Sequence, residues 1–247
     1  MHFLLLSIAL QLLCIVHVFR TGRNTAWIMA IAFLPMVGML AYFIVEILPG
    51  LRHDRRVRDV RTKVADKMDP ERRVRAANDA VEFSSTAGNR LELGDALMVR
   101  GRYDEALKRF REAERLSPHV DRAIGMRIAE AAYEAGRFSE ALAAIGRLPE
   151  TISQTELDRR TLLRAKVAEA DDRPHDALPL YRDIVERVPG DEVRCRIAAL
   201  LIAQGDRRGA RALLHEVEQR MKRTPPVTLK AEAAMYDWAK RTLAELR

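Results

Sequence analysis

The 247-residue chain is 48% apolar and 31% charged, with a formal net charge of +7. That length admits a membrane segment plus one soluble domain of ordinary size. Its two cysteines, Cys14 and Cys195, lie in the first apolar run and near the far end of the chain, which excludes a disulfide framework and a cysteine metal site. Up to Met68 there are 9 Lys/Arg against 4 Asp/Glu, and beyond it 33 against 31. The basic excess therefore sits at the N-terminal end, and the remainder lacks the concentrated basic face that nucleic-acid binding requires.

The first element is the uncharged run from Phe3 to Phe19, which as a helix spans about 26 Å. No Lys or Arg precedes it and Val18–Asn24 offers no small-residue cleavage pattern, so a retained helix is expected rather than a cleaved signal peptide. A second run, Ala26 to Leu48, spans about 34 Å, enough to cross a bilayer with tilt. The polar turn between them, Arg20 to Thr25, is too short for anything but antiparallel helices. Residues 1–50 thus read as a transmembrane hairpin (3–19 and 26–48), and residues 51–69 as a basic juxtamembrane linker. The linker carries Arg52, Arg55, Arg56, Arg58, Arg61 and Lys63. Lys/Arg on that side outnumber those in the turn, so the positive-inside rule puts residues 70–247 in the cytoplasm. The same six side chains are candidates for contact with anionic lipid headgroups.

Within the runs, Gln11 is placed to bond across the hairpin, while His17 and Glu46 lie near helix ends where their polar tips reach water. Pro35 is expected to kink the second helix and Gly38 to let a neighbouring backbone approach. Trp27, Pro35, Gly38 and Tyr42, in WIMAIAFLPMVGMLAYFI, resemble the N-terminal membrane hairpin of phospholipase D-like cardiolipin synthases. That family's chemistry needs a His-x-Lys pattern. None of His53, His119, His175 or His215 is followed by Lys two positions later, so the resemblance extends to the anchor and not to the lipid chemistry.

From Asp69-Pro70, a helix-start signal, residues 70–247 repeat themselves. GRYDEAL, GRFSEAL, DRPHDAL and GDRRGAR recur with Ala106, Ala141, Ala177 and Ala210 in register, about 35, 36 and 33 residues apart. The period resembles the tetratricopeptide repeat, a helix-turn-helix unit. In the first copy Gly94 and Ala106 are the small residues, Tyr103 and Phe110 fill the space beside them, and Gly101 makes the turn. The second copy has Ala129, Gly136, Phe138 and Ile145, and its second helix is cut short at Leu148-Pro149. The third places Asp172 at the turn-glycine position and Pro174 at the aromatic one, with Pro179 expected in the first turn of its second helix. The fourth keeps Ala198, Gly205, Ala210 and Leu214. Val74, Ala77 and Val81 predict a helix before the first copy. Leu229, Ala233, Tyr236, Leu243 and Leu246 predict one capping helix after the last. The expected fold is all-α: the hairpin, then a solenoid of about four helix pairs with a C-terminal cap.

The resemblance implies a groove lined by the first helix of each pair and receiving a protein or peptide partner. By the family's register it would include Leu91, Asp95, Met98, Met126, Glu130, Tyr133, Leu162, Lys166, Glu169 and Ile202. Leu91 and Asp95 stand where relatives that clasp a C-terminal carboxylate carry basic or amide side chains, which argues against that mode. Met126 and Tyr133, seven residues apart, form the most prominent apolar pair. No phosphate-binding glycine loop, H-E-x-x-H or G-x-S-x-G is present. Asp171, Asp172 and Asp176 beside His175 read as a polar turn rather than a metal site. No catalytic residue, cofactor or metal is expected, and the oligomeric state is left open. The reading is a membrane-anchored, non-enzymatic interaction scaffold of a bacterial-type inner membrane. Two others stand beside it: an accessory factor in phospholipid or envelope assembly, and a reversed topology with periplasmic repeats.

Overall fold

The computed structural model describes residues 11, 15–20, 26–33, 37, 41–42, 45, 68–117, 119, 121–151 and 153–246. The chain divides into two compact units, Met1–Arg72 and Arg73–Arg247.

In the first unit, residues 15–20 are helical and α1 spans Ala26–Phe33. Val18, Ile31 and Tyr42 form a small buried core, with Ile15, Trp27 and Ile28 packed on it. The expected bond across the hairpin is present: Gln11 Nε2 donates to the Ile31 carbonyl at 3.3 Å. His17 is exposed, as expected near a helix end, and also has a partner. Its Nδ1 lies 2.8 Å from the Tyr42 hydroxyl, and Trp27 meets the Tyr42 ring edge-on at 5.4 Å. Among the described residues no helix is long and apolar enough to cross a membrane. Pro35, Gly38, Glu46 and the six basic residues from Arg52 to Lys63 lie outside the described residues.

The second unit is helical, with no strand among its described residues. It opens with α2 (Arg72–Phe83), which buries Val74 and Ala77. Four pairs follow: α3 (Ala87–Val99) with α4 (Tyr103–Leu116), α5 (Arg122–Glu134) with α6 (Phe138–Gly146), α7 (Gln154–Ala170) with α8 (Pro174–Ile184), and α9 (Glu192–Ala203) with α10 (Arg207–Met221). Each first helix packs on its own second helix, and each second helix on the first helix of the next pair. The starts are chemically marked. Thr86 accepts from Asn89 N at 3.1 Å, Asp121 from Ala123 N at 2.7 Å and Asp206 from Gly209 N at 2.8 Å, and Pro174 opens α8.

One arrangement recurs in every pair. A small residue of the first helix and a bulky one of the second are both buried: Gly94 with Phe110, Ala129 with Ile145, Ala165 with Tyr181, Ala198 with Leu214. Gly94 shows why the small residue is required, because a Cβ there would overlap the Phe110 ring. The four alanines that fix the sequence register, Ala106, Ala141, Ala177 and Ala210, are all 0% exposed.

The turns repeat as closely. Arg102 N donates to Leu97 O, Arg137 N to Ala132 O, Arg173 N to Ala168 O and Asp206 N to Leu201 O, at 3.0, 2.8, 2.8 and 2.8 Å. This six-to-one closure needs a left-handed residue just past the helix. Gly101, Gly136 and Gly205 supply it at φ of 70°, 73° and 83°, and Asp172 is forced into it at 53°.

Two sequence expectations change. Because α8 starts at Pro174, Pro179 falls inside the helix rather than in its first turn. It removes one backbone donor, and the helix continues only to Ile184. The single capping helix is two elements, α11 (Pro226–Ala231) and α12 (Ala233–Glu245), joined at Glu232. Only the second buries residues, Tyr236, Ala239 and Leu243. The cap is latched through a buried carboxylate. Asp191, 2% exposed, accepts from Arg220 Nε at 2.6 Å and from the Tyr236 hydroxyl at 3.1 Å. Nearby, buried Arg194 is held by Glu216, by Glu186 and by the Val185 carbonyl, at 2.7–3.0 Å.

Asp172→Gly should relieve the left-handed strain without removing a packed side chain. Stability should rise by about 1 kcal/mol, raising Tm by ~2–4 °C for a unit of this size. Thermal unfolding followed by circular dichroism checks this, with Asp172→Ala as the variant that gains nothing.

Candidate functional site

The first helix α5 lies against the next first helix α7, and α9 against the cap helix α12. Their shared face is crossed by a ladder of ion pairs from one repeat to the next. Arg127 Nε of α5 donates to Asp95 of α3 at 2.9 Å. Arg159 of α7 donates to Glu130 of α5 at 2.6 Å. Lys166 of α7 lies 2.6 Å from Glu192 of α9. Arg196 of α9 donates to Glu169 of α7 at 2.8 Å and to Glu192 at 3.0 Å. Tyr181 on α8 donates its hydroxyl to the same Glu169 oxygen at 2.5 Å.

These contacts set the electrostatics. Burial disfavours the charged form of Glu192, but Lys166 and Arg196 outweigh it and hold the carboxyl below the usual range. Burial also opposes the charge on Arg196, and Tyr181, Glu169 and Glu192 together more than restore it. Burial, followed by the hydrogen bond to Glu169, pushes the Tyr181 phenol up, so it remains a donor at any physiological pH. The charges at Asp95, Glu130, Lys166 and Glu169 are thus spent on neighbouring repeats. Exposed pairs of this kind contribute about 0–1 kcal/mol each; their larger effect is to fix which side chains border the apolar gaps between them.

Two such gaps open on this face. One, of about 290 Å³, is lined by Met98, Glu130, Tyr133, Glu134, Arg159, Leu162, Leu163 and Lys166. It brings together five of the groove residues named from the sequence: Met98, Glu130, Tyr133, Leu162 and Lys166. The other, of about 510 Å³, lies towards the cap, between α9 and the α11–α12 segment. Glu169 borders this second gap and is the one sequence-named residue there. Leu91 and Ile202 are half-buried and pack onto the core, and Asp95 is tied to Arg127.

Met126 is a correction. It is 3% exposed and belongs to the core, so it does not pair with Tyr133 on an open face. As the first helix of an inner repeat, α5 has neighbours on both sides and buries Ile124, Met126, Ile128, Ala129, Ala131 and Ala132 around much of its circumference. Tyr133 escapes because it stands near the helix end, with Phe138 of α6 at 6.4 Å. Arg127, Arg159, Glu192 and Arg196 were missed. Their signal is opposite charge one repeat away, at separations of 27–32 residues for the hydrogen-bonded arginines, rather than at helix-surface spacing.

Cys195 lines the second gap but is 5% exposed. Burial, and then the charges of Asp191, Glu192 and Glu232, push its thiol up to about 12. It is therefore neutral at physiological pH and unsuited to nucleophilic or metal chemistry. Among the described residues no group of three or more His, Cys, Asp or Glu is placed to hold a metal.

Known proteins resemble the chain along the same division. Residues 97–164 match the Tetratricopeptide repeat family model, and residues 9–46 match Phospholipase_D-nuclease N-terminal. Among solved structures the chain is similar to MamA 41-end from Desulfovibrio magneticus RS-1, at 14% identity and TM-score 0.54, over 68% of this chain and 94% of that one. It is similar also to pilF of Pseudomonas aeruginosa, at 16% identity and TM-score 0.50, over 69% and 78% of the two chains. At those identities the likeness shows the fold alone, an all-α helical repeat. No curated protein sequence matches the chain.

Glu192, with its depressed pKa, contributes stability that is present above the unfolded carboxyl value of about 4.3. That contribution is lost as pH falls through the lower folded value. Urea midpoints measured from pH 7 to pH 3 should fall below about pH 4.5, and Glu192→Gln should flatten part of that fall.

Proposed function

We propose that this chain is a membrane-anchored interaction protein whose repeat unit offers the face between its first helices to partner proteins. The observation that carries the reading is the gap formed by Met98, Tyr133, Leu162 and Leu163, bordered by the Glu130–Arg159 pair and Lys166. It is an apolar hollow with polar edges, the form that takes a side chain from an extended or helical segment. The match of residues 97–164 to a repeat family supports a binding role.

The anchor is supported by the two apolar runs and by an inside-out distribution in the first unit. Val16, Phe19, Met29, Val37 and Val45 face outward while Tyr42 is 0% exposed, a pattern suited to lipid rather than water. In this reading the hairpin sits in a bacterial inner membrane, with the basic residues from Arg52 to Lys63 and the repeats on the cytoplasmic side.

A second reading, an accessory role in phospholipid or envelope assembly, draws on the match of residues 9–46 and on the same basic residues touching headgroups. Changing those six residues to glutamine should then abolish binding of the chain to vesicles containing anionic lipid; unchanged binding would remove this reading.

The principal test places a photocrosslinking residue at Tyr133 in intact membranes, with exposed Lys108 on α4 as the control. Tyr133 should give discrete adducts that Lys108 does not, and the protein should resist alkaline carbonate. Equal labelling from both positions would contradict the groove, and extraction by carbonate would contradict the anchor. A reporter fused after Arg247 should be active in its cytoplasmic form only.

A further inference from the structure

The larger gap, of about 510 Å³, has a composition that restricts what can enter it. Its apolar surface comes from Ala199 of α9, Ala231 at the end of α11, and Ala234, Met235 and Trp238 of α12. Its charged border is one-sided. Glu169, Glu192 and Glu232 face it, against Arg196 alone. Arg196 is committed to Glu169 and Glu192 at 2.8 and 3.0 Å, and the nearby Lys166 is committed to Glu192 at 2.6 Å. The Glu232 carboxylate is exposed at the break between α11 and α12 and has no ion-pair partner among the described residues. The hollow therefore carries negative charge that the protein does not balance.

Three kinds of occupant can be compared. An acidic segment would bring its carboxylates against Glu232 and Glu192, a like-charge approach that specific sites use to reject partners. A purely apolar group would fill the floor but leave the border charges facing it without compensation. An apolar side chain flanked by Lys or Arg fills the floor over Trp238 and Met235 while its cation meets Glu232 or the free oxygens of Glu169 and Glu192. The indole of Trp238 adds a face that attracts cations.

We propose that this gap is a pocket for a basic–apolar segment of a partner polypeptide, one large apolar side chain inserted and a Lys or Arg beside it on Glu232. The proposal rests on the reading of the inter-repeat face as a protein-binding surface and names the chemistry of what binds at its C-terminal end. The chemistry of the pocket, rather than the small-residue period of the repeats, sets this preference, because Glu232, Met235 and Trp238 all belong to the cap.

The test uses the full chain in phosphatidylcholine nanodiscs, a lipid with no net charge, and three fluorescein-labelled peptides: alternating Leu–Lys, alternating Leu–Glu and alternating Ser–Lys. Fluorescence anisotropy should show binding of the Leu–Lys peptide and affinities at least about tenfold weaker for the other two. Glu232→Lys and Ala234→Leu, both at exposed positions, should each weaken Leu–Lys binding by about tenfold with thermal melting unchanged. Lys108→Ala, at the exposed control position on α4, should leave it within about twofold. Equal binding of the Leu–Glu or Ser–Lys peptide would overturn the proposal, as would retained affinity in Glu232→Lys. If these results fail while crosslinks from Tyr133 persist, the groove stands and this pocket assignment alone falls; if both fail, the interaction reading falls with it.

Discussion

Everything in the second unit depends on how closely the two helices of each pair approach. That distance is set by a small residue on the first helix facing a bulky one on the second, sixteen positions later in all four pairs. Gly94 accepts Phe110 and Ala165 accepts Tyr181; in each case the bulky side chain is 0% exposed. Because packed interiors do not tolerate an added methylene without movement, this contact fixes the tilt of one helix on the other. The same geometry, repeated, fixes where the next pair must sit. The left-handed turn residue completes the constraint, and Asp172 adopts φ 53° where a glycine would be unstrained, showing that closure of the turn dominates over the local preference of its residue.

The face shared by the first helices is a consequence of that stacking. Once the first helices are aligned, side chains on their shared side can reach only each other or solvent, and charges of opposite sign pair across repeats. The ladder from Asp95 to Arg196 removes most of the fixed charge from the face and leaves two hollows of different character, one nearly balanced and one acidic. On the proposed reading, specificity rests on shape and on the few uncompensated groups, rather than on a row of basic side chains suited to a terminal carboxylate.

What could be read from the sequence was whatever obeys the repeat period. Small residues, turn glycines and the second-helix register recur at fixed intervals, so the helix pairs were legible, including the shortened α6. Features that break the period were not. Met126 looked accessible because two helical turns bring it in line with Tyr133, yet burial there depends on flanking helices that local spacing does not reveal. Pro179 was placed one turn too early because Pro174 starts α8 ahead of the expected position. Many of the charges pair helices a repeat apart, a relation that spacing along a single helix does not reveal. The cap pocket had no period at all: Met235 and Trp238 stand off the Tyr236–Leu243–Leu246 stripe that made the cap recognisable.

A double-mutant cycle on the first pair tests the governing contact most directly, using urea unfolding of the full chain. Gly94→Ala alone should cost about 1–3 kcal/mol by overpacking against Phe110. Combined with Phe110→Leu, a large part of that cost should disappear, giving a coupling of about 1 kcal/mol or more. Additivity of the two substitutions within about 0.5 kcal/mol would contradict the claim that this small-to-bulky contact sets the helix pair, and with it the face that the repeats present.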